Sequence, residues 1–105
     1  MGSKNQNISS LRPFFDGSDY PYWKFKMEFY LDYDFIKFWD IVCKGWEPPK
    51  AIINGIETII KRDDWSAIHQ EGNHKNKRAM ITLVSSMTRE EGVKLQHCSS
   101  AKEMW

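Results

Sequence analysis

The chain has 105 residues and a formal net charge of +1, with charged side chains making up 28% of it. That length suits one domain, which on folding buries roughly 65% of the unfolded surface and needs neither metal nor disulfide to do so. The near-neutral balance excludes a strong whole-molecule attraction for phosphate and excludes an acidic substrate mimic, so any nucleic-acid contact has to come from a local patch.

Residues 1–12 are polar and aperiodic and read as a mobile arm leading to Pro13; the folded domain is expected over 13–105. The opening Met1-Gly2-Ser3 has Gln6 where an N-myristoylation signal needs Ser or Thr. Asp16-Gly17-Ser18-Asp19 is turn chemistry: Gly tolerates positive φ, and the Ser and Asp oxygens can take the free amides of a starting helix. Pro21 suits the first turn, where its missing N–H costs nothing. From there Trp23, Met27, Tyr30 and Leu31 recur at helical spacing and form the candidate inward stripe. Phe25, Phe29 and Tyr33 fall off that stripe. They either face a partner or pack under the segment 50–62.

Asp34 can cap a second helix with Phe35, Phe38, Trp39 and Val42 inward, ending at Lys44-Gly45, a basic residue followed by glycine. Trp46-Glu47-Pro48-Pro49 cannot continue it. Residues 50–62 are apolar and β-branched around Asn54-Gly55, which suggests a loop or small hairpin lying against the helices. Asp63 or Asp64 opens a long third helix carrying Trp65, Ile68, Gly72, Ala79, Met80, Leu83, Val84 and Met87, with Trp65 and Leu83 as candidate core and a polar middle, Gln70 to Arg78, that is either exposed or bent at Gly72. Thr88 and Glu91 have capping-box spacing and begin a fourth helix running to about His97; Ser100 to Glu103 repeats the spacing for a fifth. The expected fold is all-α, a compact bundle of four to five helices with one irregular insertion. The chain ends on an aromatic, Trp105, within that last helical beginning, so more polypeptide is expected beyond it.

No span approaches the ~20 apolar residues that cross a bilayer, since even Phe35 to Val42 is broken by Lys37 and Asp40. Metal binding needs three or four converging ligands, but His69 and His74 sit nearly half a turn apart and His97-Cys98 are adjacent. Cys43 and Cys98 lack metal spacing, a nucleophile signature and a secretory signal, so reduced thiols in a cytoplasmic or nuclear setting are expected. Asp63-Asp64 and Glu90-Glu91 stand where helices start and offset the dipole. The glycines stand alone instead of forming a phosphate cradle. No cofactor and no enzymatic activity are expected. Lys61, Arg62, Lys75, Lys77 and Arg78 could touch RNA phosphates, or line a solvated helix face.

Four sequence words, in order, cover residues 14–105. Phe15-Asp16-Gly17-Ser18-Asp19-Tyr20 with Trp23-Lys24 and Met27 resembles the opening F-x-G-x-N-Y-x-x-W-x-x-x-M of the Gag polyprotein of copia-type LTR retrotransposons, common in plant genomes. Trp39-Asp40-Ile41-Val42 with Gly45-Trp46-Glu47-Pro48-Pro49 is similar to the family's W-x-x-V-x-x-G-x-x-x-P segment. Trp65 ahead of Asn76-Lys77-Arg78-Ala79 is similar to its W-(spacer)-N-x-K-A element, and Ser100-Ala101-Lys102-Glu103-Met104-Trp105 to T-A-K-E-x-W. Asp19 replaces the usual Asn, and Arg78 a usual small residue. The resemblance implies a capsid-forming helical region that associates with itself or other Gag-like chains around retrotransposon RNA, or a host-recruited derivative that binds another protein. The family's zinc knuckle is not in this chain, so RNA contact is expected to be weak.

Overall fold

A computed structural model describes residues 11–33 and 36–105. Asp34 and Phe35, expected to open the second helix, lie outside the described residues, as does the expected N-terminal arm except for Leu11 and Arg12. The elements are α1 (Tyr20–Asp32), α2 (Trp39–Lys44), β1 (Lys50–Ile53), β2 (Ile56–Ile59), α3 (Ala67–Val84), α4 (Arg89–Val93) and α5 (Ala101–Met104), with a 3₁₀ turn at Arg62–Asp64. The expectation of a compact all-α bundle is therefore corrected. Among the described residues the fold is mixed, with five α-helices, about 54% of those residues helical once the 3₁₀ positions are included, and a two-stranded antiparallel hairpin.

The hairpin follows from Asn54-Gly55, both at positive φ (53° and 76°), the conformation a two-residue type I′ turn requires. Its register pairs Lys50 with Ile59, Ala51 with Thr58, Ile52 with Glu57 and Ile53 with Ile56. It does not lie against the helices as expected, for Ile52, Ile53, Ile56 and Ile59 are all exposed. The strand period of two explains why. Lys50, Ile52, Glu57 and Ile59 share one face and Ala51, Ile53, Ile56 and Thr58 the other, so neither face is wholly apolar. The principal extents are 59 × 32 × 19 Å, and the radius of gyration of 16.5 Å exceeds the ~13 Å of a compact chain this long.

The core sits among the helices. Trp23, Met27, Tyr30 and Leu31 of α1 meet Phe15, Phe38, Val42, Ala79, Leu83 and Ala101, with Trp39 half-buried against them. α2 packs on α1, α3 and α5, and α5 on α3. Phe15 ties the segment before α1 to the turn between α3 and α4 through a short parallel bridge: its N–H donates to the Ser86 carbonyl (2.8 Å) and its carbonyl accepts from Thr88 N–H (3.0 Å). Trp65 lies apart from this core, half-buried in a T-shaped pair with Trp46, ring centroids 5.3 Å apart.

Several helix boundaries move from their expected places for local reasons. Asp16 closes an Asx turn on Ser18 instead of capping α1, and Asp19 caps without a side-chain bond in the left-handed region. Asp63 and Asp64 stay in the 3₁₀ turn, and Ser66 caps α3 by accepting from His69 N–H. The helix runs unbroken through Gly72, whose missing side chain makes room for the Trp46 indole. Thr88 does accept from Glu91 N–H, but the Glu91 carboxylate turns to Lys94 at 3.0 Å because the Thr88 N–H is already held by Phe15. Beyond Val93 the backbone tightens into i→i−3 bonds, so α4 stops short of His97.

Candidate interaction surface

α1 has two opposed apolar faces, and only one is covered. Tyr22, Phe25 and Phe29, at offsets of three and seven, line the outer face, exposed at 55%, 58% and 67%. The Phe25 and Phe29 rings meet edge to face at 5.1 Å, Tyr22 stacks on Phe25 at 6.4 Å, and Lys26 Nζ lies 4.6 Å from the Tyr22 ring centre. The rings hold each other in one continuous patch. Tyr33 stands just past the helix end, exposed at 46%. Of the two readings open for Phe25, Phe29 and Tyr33, burial under residues 50–62 is not what the structure shows. Tyr22 was missed from the sequence, although its place three residues before Phe25 was a readable signal.

A second exposed apolar area lies on α3, where Ile81 and Val84 with Met80, Met104 and the Lys77 stem border an open hollow of about 440 Å³.

The five candidate RNA-contacting cations are not brought together. Arg62 lies over the Trp65 ring (5.7 Å) beside Lys61 in the 3₁₀ segment. Lys75 pairs with Glu71 at 3.4 Å, and Arg78 lies over the Phe38 ring at 5.7 Å. Lys77 projects about 200° around the helix from Lys75. These positions make separate solvated charges instead of a phosphate track.

The Cys98 thiol lies 3.7 Å from His97 Nε2, but burial and the neighbouring Glu103 charge push its pKa up. That shift opposes the thiolate a nucleophile needs. Cys43 is exposed and free. Among the described residues no three His, Cys, Asp or Glu side chains converge on a possible metal position, and no helix is long and apolar enough to cross a membrane.

Compared with known proteins, the chain matches no protein-family model, no curated sequence and no solved structure.

Proposed function

We propose that the chain is a structural, non-enzymatic module of the Gag capsid type, working in the cytoplasm by association with copies of itself around retrotransposon RNA. The observation that carries this reading is the outer stripe of α1. A helix that buries Trp23, Met27, Tyr30 and Leu31 has no folding need for three further aromatic rings on its opposite side. Exposed, mutually braced aromatics are the composition of interface cores, where large rigid rings supply contact area at little entropic cost. A patch built from one helix suits an isologous contact, the same face meeting itself across a two-fold axis. The dispersed cations give RNA no continuous basic stripe on this domain, so the RNA is enclosed more than gripped.

The test is sedimentation across a concentration series. The parent chain is expected to form larger species as concentration rises. A Phe25→Ser, Phe29→Ser double variant should stay monomeric while melting within a degree or two of the parent, because both rings are solvent-facing. A parent chain that remains monomeric at the highest concentration, or a double variant that associates equally well, overturns the reading.

A further inference from the structure

Next to the base of the hairpin, Arg62, Asp63, Trp65, Gln70, Asn73 and His74 line an open cavity of about 430 Å³. Its walls are held by contacts that do not use the cavity itself. Trp65 Nε1–H donates to the Ile60 carbonyl at 2.9 Å, and Gln70 Nε2–H donates to the Trp65 carbonyl at 3.1 Å, which leaves the Gln70 oxygen as an acceptor. The Arg62 guanidinium lies over the Trp65 ring, 5.7 Å from its centre, so a cation and an indole stand together on one wall of the cavity.

Asn73 is the informative residue. It is 7% exposed, yet among the described residues its side chain has no hydrogen-bond partner. Its polar atoms are nevertheless not sealed away, so the small surface they keep opens into the cavity they line. A buried amide left without a protein partner is uncommon, because the fold gains nothing from it that an apolar side chain would not supply. Asn73 offers one donor pair and one acceptor to whatever enters.

We infer that this cavity takes one base of a single-stranded nucleic acid. The base stacks on the Trp65 indole with the Arg62 guanidinium beside it, and its hydrogen-bonding edge meets the Asn73 amide. An aromatic ring and a guanidinium plane are the surfaces on which unpaired bases stack, and an Asn amide matches the donor and acceptor pattern of a base edge. Lys61, exposed next to Arg62, is placed for the adjoining phosphate. This site is separate from the α1 stripe and does not depend on self-association.

The test is fluorescence anisotropy of short labelled poly(A), poly(U) and poly(dT) strands and of a duplex of equal length, over a range of salt. Single strands of RNA, DNA or both are expected to bind more tightly than the duplex. Asn73→Leu is expected to weaken binding about tenfold without changing the salt slope, and to leave the melting temperature equal or higher. Lys61→Gln is expected to lower the slope by about 0.7. Should Asn73→Leu melt lower than the parent, Asn73→Asp, which keeps size and polarity but loses the donor, carries the same expectation of weakened binding. No binding at low salt, a duplex bound as tightly as single strands, or a folded Asn73 variant that binds like the parent overturns the proposal.

Discussion

The Asn76 side-chain oxygen accepts a hydrogen bond from the backbone N–H of Ala101 at 3.0 Å, across 25 residues, in a site where both residues are fully buried. Its amide nitrogen lies 3.5 Å from the Met80 sulfur. Ala101 is the first residue of α5, so this bond satisfies one of the amides a helix N-terminus leaves open, while Ser100 covers another by accepting from Glu103 N–H. Asn76 thereby fixes α5 onto α3. Replacing it with Leu keeps the volume but strands the Ala101 N–H, and the expected loss is about 1–3 kcal/mol. A shift of the urea midpoint at unchanged m-value measures it; an unchanged midpoint contradicts the role assigned to the bond.

Trp23 is the corresponding anchor in α1. Its ring lies 5.2 Å from that of Phe15 and 5.9 Å from that of Trp105, and its Nε1–H donates to the Pro13 carbonyl at 3.3 Å. Trp23→Ala empties a site where the segment before α1, α1 itself and Trp105 meet, so a loss of about 3–5 kcal/mol is expected. That is a large part of the stability of a domain this size. A thermal melt that moves by less than a degree is incompatible with it.

Gly72 would be expected to gain helix stability on replacement by Ala, by about 1 kcal/mol from propensity alone. The structure reverses that sign. A Cβ at position 72 falls 2.5 Å from Trp46 Nε1 and 2.6 Å from Trp46 Cδ1, both in a rigid ring. Displacing Trp46 also disturbs Trp65 and the base of the hairpin, so Gly72→Ala should be net destabilising, with an overpacking cost of about 1–3 kcal/mol outweighing the propensity gain. Chemical denaturation of the single variant decides between the two signs.

Glu103 has its pKa lowered, chiefly by the Ser99 hydroxyl at 2.6 Å and then by the Ser99 backbone N–H at 3.1 Å. A carboxylate whose folded pKa is depressed stabilises the fold above its unfolded value, and that stability is lost as pH falls through the folded value. Ser99→Ala removes the largest cause. Glu103 should then titrate closer to the ordinary glutamate range, as followed by side-chain NMR, and the acid-side loss of α5 should begin at higher pH. A Glu103 titration that does not move shows that Ser99 is not the cause.

Local chemistry was legible in the chain wherever it acts over a few residues. The spacing of Trp23, Met27, Tyr30 and Leu31 marks the inward face of α1, Asn54-Gly55 marks a tight turn, Lys44-Gly45 ends α2, and Ser100 with Glu103 opens α5. These depend on side-chain period, on φ, and on hydrogen bonds within a single turn. What tertiary structure alone decided was which surfaces are left uncovered. Whether Phe25 and Phe29 meet solvent, whether the isoleucines of 50–59 find a helix to lie on, whether Glu91 caps backward or reaches Lys94, and whether Asn73 and Asn76 find partners all depend on elements far away in sequence. Phe15 claims the Thr88 N–H, Ala101 claims Asn76, and among the described residues nothing claims Asn73. A short-range pattern states what a residue can bond to; only long-range packing settles what is within reach.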